Sequence, residues 1–369
     1  MTDLQGLLDA QVRDGAVPGA VAMVARGDSV EVAAAGELSR ESIVRIASIT
    51  KPIVAAALLM LVEDRRIALD EPVGRWLPEI AAPSVVRTPS SPVDDVVPAV
   101  RPIAVADLLT FLAGYGFPSD FSLPAIQPLF TELKQGPPQP QAVPPPDGWM
   151  AALGRIPLLY QPGEAWLYNT CADIQGVLIA RVAGQPLPEF LAERVFGPLG
   201  MVDTGFAVPA GALDRLSRYY GPDPSGGLQP LDPPDGQWST MPAFPSGAGG
   251  LVSTLDDWYR FGRMLLDGGR PLLSPDSVRL MMTDHLTAAQ RDASRLFLEG
   301  QGWGYGGSVD IGRIDPWNVP GRYGWVGGTG TAAHVVPSTN AVTILLTQVQ
   351  MSGPTPPGIM RDFWRYTAG

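Results

Sequence analysis

The run PIVAAALLMLV (52–62) contains no polar side chain, and Lys51 stands at its head in the tetrapeptide Ser48-Ile49-Thr50-Lys51. An apolar segment of that length has to be buried on folding. Ile53, Ala56, Ala57, Met60 and Leu61 recur at helical spacing, which predicts a buried helix from Ser48 to about Glu63. Pro52 fits only in its first turn, where amides lack intrahelical partners. Ser48 and Lys51 then share one face of that turn. A lysine in such a place is either a chance residue snorkelling to water or a partly desolvated amine with a chemical task. Lysine is rare here: of 26 basic residues, only Lys51 and Lys134 are not arginine.

The rest of the composition narrows the choice. The 369 residues suffice for one large unit with a substantial core, and 45% hydrophobic with 17% charged residues is ordinary for a globular protein. A net charge of −11 repels phosphate backbones and anionic lipid, which argues against nucleic-acid or membrane partners. Cys171 is the one cysteine, so neither an intrachain disulfide nor a thiolate metal cluster is expected. The N-terminus has no basic-then-apolar leader pattern, and no apolar run reaches the roughly 18–20 residues that span a bilayer. The cytoplasm is the expected location, and a homo-oligomer is left open.

Residues 3–14 read as a short helix, and 19–27 and 29–36 as a hairpin turning at Arg26-Gly27-Asp28. Helices are expected over 105–114, 171–184 (ended by Gly184), 187–200 and 253–269, the last capped by Ser253 or Thr254. The C-terminal third turns to strands at 302–311, 331–338 and 340–348, then a closing helix around 357–367. Strands at both ends with helices between imply an α+β fold with one sheet built from both termini. The expected organisation is a single unit over 1–369. Its sheet region takes approximately 1–47 and 270–369, and its helical and loop region 48–269. Proline is too dense in 82–148 for regular structure, so this stretch reads as a rim or lid.

Several chemistries fail on residue counts. No serine sits in G-x-S-x-G; the nearest, Ser246 in FPSGAGG, lacks the first glycine. A Ser-His-Asp triad would need His285 or His334, and His334 falls in an apolar strand. HExxH is absent, and GGTGTAA (327–333) precedes a strand, which spoils a dinucleotide reading. What remains is S-x-x-K at a helix head. Desolvation there would lower the lysine toward neutrality, and the helix N-terminus would favour charge developing on the serine.

Two further stretches join RIASITKP: QPGEAWLYNTCADIQGVLIARVAG (161–184) and YGWVGGTGTAAHVVPSTNAVTILLTQ (323–348). Together they resemble the three motifs of the serine β-lactamase and penicillin-binding-protein superfamily. More narrowly, the chain resembles the class C β-lactamase-related esterases, the family VIII carboxylesterases. LDEPVGRWLPE, VADLLTFLAG, FGPLGMVDTGF and PSGAGGLVSTLDDWYRFGRMLLDGG match in order, so the resemblance covers about residues 10–350. It implies a β-lactamase/transpeptidase-like fold, with Ser48 as acyl-accepting nucleophile, Lys51 as its partner and Tyr168 as proton shuttle. It also implies an oxyanion hole of backbone N–H groups from Ser48 and Gly328, and no cofactor or metal.

This sequence departs from the family pattern at places that bear on substrate. The third motif, usually Lys/His-Thr-Gly, reads Trp325-Val326-Gly327, so the cation that would hold a β-lactam or peptide carboxylate is replaced by an indole. Thr170 stands where the second motif carries asparagine, with Asn169 one place early. In TFLAG (110–114) the family more often has a histidine and small polar residues, a change expected to be structural. Trp325, Gly327, Thr170, Asn169, Trp238 and Tyr219 are the expected substrate-binding residues. The expectation is hydrolysis of carboxylic esters of neutral, rather apolar small molecules through an acyl-enzyme. The alternatives are a β-lactamase or D-Ala-D-Ala peptidase, an acyltransferase on the same machinery, and a non-catalytic binding protein of this fold.

Overall fold

The computed structural model describes residues 3–368. Seven strands make one sheet: β1 (Gly19–Arg26), β2 (Ser29–Gly36), β3 (Gly302–Trp303), β4 (Ser308–Val309), β5 (Tyr323–Gly327), β6 (Thr331–Val336) and β7 (Ala341–Thr347). Their order is β2-β1-β7-β6-β5-β4-β3, antiparallel throughout. The two ends of the chain meet at the β1–β7 pair, with Ala20 opposite Thr347 and Arg26 opposite Ala341. Five helices cover the sheet or frame the site: α1 (Leu4–Arg13), α2 (Lys51–Glu63), α3 (Thr170–Ala183), α4 (Leu255–Leu266) and α5 (Gly358–Ala368).

Alternation along β1 shows why both faces of the sheet are covered. Ala20, Ala22 and Val24 pack with Leu4 and Leu8 of α1 and with Ile359, Met360, Phe363 and Trp364 of α5. Val21, Met23 and Ala25 face the larger core, which contains α2, α3 and α4. Helix α2 is buried from Lys51 to Leu61, as the run of apolar residues after Lys51 requires. Thr254 caps α4 by accepting from the Asp257 N–H at 3.3 Å, and Gly184 ends α3 in the left-handed region, φ 71°.

Four details differ from the sequence expectation, each for a local reason. Ser48 lies in a 3₁₀ turn (Ala47–Thr50), and α2 proper starts at Lys51. The helix over 105–114 stops at Thr110 because Phe111 turns left-handed, φ 62°, and packs against Trp166, Tyr168 and Trp303. The segment 187–200 is one helical run, but it carries a π turn over Ala192–Phe196. Pro198 has no N–H to return to the turn before it, which widens the coil there. The strand expected over 302–311 is a hairpin, β3 and β4. Gly306 (φ 76°) turns it so close to α2 that a Cβ would lie 2.6 Å from the Lys51 carbonyl oxygen. The proline-dense rim also holds regular pieces, a small hairpin (Ser84–Val86 with Val96–Pro98) and a helix over Pro146–Leu153.

Candidate active site

The nucleophile candidate sits on a strained backbone. Ala47 has φ 45°, which a residue with a Cβ adopts only when its surroundings force it. The force comes from β5 and β6. Thr331 Oγ1 donates to the Ile46 carbonyl at 2.8 Å, and Thr329 Oγ1 donates to that of Arg45. Gly327 ends β5 against the same segment, so tightly that a Cβ would fall 2.5 Å from the Ile46 oxygen. Ser48 therefore emerges, half-buried, where the sheet edge meets the head of α2.

Lys51 is buried, with Nζ donating to Ser48 Oγ at 2.8 Å, Asn169 Oδ1 at 2.9 Å and the Ala248 carbonyl at 2.6 Å. Burial pushes its pKa down to about 7, and the charge of nearby Asp173 pulls it partly back. The amine is thus held near the point where it can accept a proton. Its Nζ also lies 4.7 Å from the centre of the Tyr168 ring.

Tyr168 accepts from Trp325 Nε1 at 2.7 Å. The resemblance implies a proton shuttle at Tyr168. Burial pushes the phenol up to about 12, and its polar neighbours Ser48 and Trp325 only moderate this. Tyr168 rests as a phenol, fit to give a proton, while Lys51 is the group fit to take one. Trp325 is more than an apolar wall, because its indole N–H fixes the phenol oxygen.

The second motif shows how one residue of offset is absorbed. Asn169 takes φ 82° and ψ −61°, and this left-handed backbone swings its amide oxygen to Lys51. Thr170 corrects the sequence expectation. It is wholly buried and does not line the cavity; its hydroxyl donates to Gln135 Oε1 at 2.7 Å. Gly327 likewise serves close backbone approach and lies outside the cavity lining, whereas Gly328, one residue beyond β5, lines it.

Ser48 opens into a cavity of about 410 Å³. Trp238 and Tyr219 both line it, held from behind by a buried ion pair. Arg45 Nε donates to Asp232 Oδ2 at 3.1 Å, and its guanidinium lies 5.0 Å from the Trp238 ring centre and 6.0 Å from that of Tyr219. Trp238 Nε1 donates to the Gly250 carbonyl at 3.0 Å, which leaves ring surface for the cavity. His285 stacks on Tyr305 and His334 faces Trp364, and neither lines this space.

Asp173 was passed over in the sequence as part of a buried helix. It is fully buried in α3, its Oδ1 accepting from Ser246 Oγ at 2.6 Å and the Ala248 N–H at 3.0 Å, and its Oδ2 from Gln135 Nε2 at 3.2 Å. It thus holds the loop whose carbonyl grips Lys51. Its signal was a carboxylate inside an apolar helix, the same anomaly that drew attention to Lys51. Also missed was the aromatic wall of Phe117, Phe121, Phe130 and Phe297, whose rings stack on one another and on Tyr168. Three of these come from the rim and one from a segment far along the chain, so no local pattern marks them.

A lysine bonded to a serine at the head of a buried helix, beside an antiparallel sheet built from both termini, defines an α+β fold of the β-lactamase/transpeptidase-like type. The chain belongs to the Beta-lactamase family, whose model matches residues 4–359, and so to a serine hydrolase superfamily with esterases and acyltransferases among its relatives. Protein Rv1367c of Mycobacterium tuberculosis is 38% identical over 357 residues, covering 90% of this chain and 86% of that one. The lovastatin esterase of Penicillium rubens is 30% identical over 358 residues, covering 89% and 86%. The solved structure of EstCE1, a hydrolase with promiscuous acyltransferase activity, matches with a TM-score of 0.82 at 24% identity, covering 99% of this chain and 97% of that one. No helix among the described residues is long and apolar enough to cross a membrane.

Proposed function

We propose that the protein is a serine esterase acting on carboxylic esters whose reacting end is neutral and apolar, through an acyl-enzyme on Ser48. The observation that carries this is the 2.8 Å bond from a buried Lys51, with pKa about 7, to Ser48 Oγ. Neutral Lys51 takes the Ser48 proton as Oγ attacks the ester carbonyl. The backbone N–H groups of Ser48 and Gly328 receive the oxyanion. As the tetrahedral adduct collapses, the leaving alkoxide takes the Tyr168 proton, and the Lys51 ammonium restores it. Water then attacks the acyl-Ser48 ester, giving up its proton to the Tyr168–Lys51 pair, and the acid leaves with Ser48 regenerated.

Trp325 supports an ester over a β-lactam or peptide substrate, because no cation stands at that position to hold a carboxylate beside the reacting carbonyl. The lovastatin esterase among the relatives supports the same class. Transfer to an alcohol instead of water is the second reading, favoured by a cavity large and apolar enough to shelter an acyl-enzyme from water. A 4-nitrophenyl ester series from acetyl to octanoyl, run beside nitrocefin, tests the class. Ester turnover above nitrocefin turnover supports it, and strong nitrocefin turnover with poor ester turnover overturns it. Product analysis with added short alcohols separates transfer from hydrolysis. We further infer a cytoplasmic location, testable by cell fractionation.

A further inference from the structure

Among the described residues, one lysine and one aspartate line the cavity, Lys134 and Asp173. Asp173 is buried and satisfied by Ser246, Ala248 and Gln135, with Lys51 nearby. Lys134 is exposed and makes no ion pair with any described residue; Glu132, two positions earlier, pairs with Arg155 at 3.5 Å instead. Among the described residues, the acid or base lining this cavity without a counter-ion is therefore the lysine, in a chain of net charge −11. It is also one of only two lysines.

The backbone holds that lysine in place. Lys134 has φ 55°, a left-handed conformation that a lysine keeps only where neighbours impose it. The next residue supplies the constraint. The Gln135 N–H donates to the Leu129 carbonyl at 3.0 Å, and its side chain bridges Asp173 at 3.2 Å and Thr170 at 2.7 Å. Farther along the rim, Gln141 Nε2 donates to the Gln237 carbonyl at 2.8 Å, and Pro137, Pro138 and Pro140 stiffen the path between. The rim is anchored at one end to the site's buried network and at the other to the segment carrying Trp238.

We propose that Lys134 docks a carboxylate carried by the substrate away from its scissile bond, so that the preferred esters are acidic ones. The proposal rests on the esterase reading and extends it. A single ammonium matches one negative charge. A phosphate dianion would enter only half neutralised, since no arginine lines the cavity. The indole of Trp325 keeps the reacting end uncharged, while Lys134 sets the charge of the far end. The carboxylate can belong to the acyl part, as in a dicarboxylic monoester, or to the alcohol part, as in the ester of a hydroxy acid.

Two matched pairs of esters test this. For the acyl side, mono-4-nitrophenyl octanedioate is compared with 4-nitrophenyl octanoate. For the alcohol side, the octanoyl ester of 4-hydroxybenzoate is compared with that of methyl 4-hydroxybenzoate. Wild type, Lys134→Gln and Lys134→Arg are assayed on all four. In one pair the ratio of kcat/KM, acid over neutral, falls on the order of five-fold in Lys134→Gln. The loss lies in KM, shrinks at high salt and is absent in Lys134→Arg. The pair that responds identifies the side carrying the carboxylate. Equal ratios in all three proteins for both pairs overturn the proposal. If wild type turns over none of the four, the esterase reading fails, and Lys134 is judged by quenching of cavity tryptophan fluorescence. Octanedioic monoamide then binds wild type more tightly than octanamide and loses that advantage in Lys134→Gln; an unchanged advantage overturns the proposal.

Discussion

Lys51 is the residue on which the chemistry turns, and its environment dictates a pH profile. Ser48 loses its proton only to a neutral amine, and burial sets the amine's pKa at about 7. Activity therefore rises as pH increases through about 7 and stays on a plateau, since the Tyr168 phenol ionises only near 12. Asp173 favours the charged amine, so Asp173→Asn, which can still accept from Ser246 and Ala248, moves the rise to lower pH. A kcat/KM–pH series on both proteins checks this; an unmoved or upward-shifted rise contradicts the role given to Asp173. Trp325→Phe keeps an apolar wall but loses the donor to Tyr168, and kcat is expected to fall about ten-fold. Unchanged kcat would reduce Trp325 to packing. Ser48, Lys51 and Tyr168 were legible because they recur at fixed spacing in ordered motifs. The donor role of Trp325 was not, because it depends on which way an indole points.

At the scale of elements, the site depends on how closely β5 approaches the turn before α2. A Cβ at Gly327 would strike the Ile46 carbonyl and the Thr331 hydroxyl, the two partners that tie this turn to β6. Gly327→Ala is expected to destabilise the protein by about 1–3 kcal/mol and to lower kcat more than KM is raised, because both oxyanion donors move. A melting curve with steady-state kinetics checks it, and wild-type values for both would show that the approach has slack. Helices built on long apolar runs, such as α2 and α3, were legible to within about one turn at each end. The β3–β4 hairpin and the π turn over Ala192–Phe196 were not, because glycine placement against α2 and a missing proline N–H decide them. The rim was read as loop on proline density alone, yet its buried Gln135 ties it into the site.

For the molecule as a whole, the sheet that carries Gly328 is closed by the two ends of the chain. Helix α5 covers one face with Ile359, Met360, Phe363 and Trp364. At roughly 1.5–3 kcal/mol for each large apolar side chain, removing it forfeits about 6–12 kcal/mol. That rivals the roughly 5–15 kcal/mol by which domains are stable. Truncation after Pro356 is therefore expected to abolish a cooperative thermal transition followed by circular dichroism, and a retained sharp transition would show that α5 is dispensable. The two-ended sheet was legible from strand patterns at both termini, whereas the cavity walls gathered from the rim and from Phe297 exist only after folding. The central claim is that Ser48 carries the acyl group. The most direct measurement is peptide mass mapping of protein acid-quenched during turnover of 4-nitrophenyl octanoate. The expected result is an octanoyl mass on the peptide containing Ser48, with both adduct and turnover lost in Ser48→Ala; undiminished turnover by Ser48→Ala, or an adduct on another residue, would contradict it.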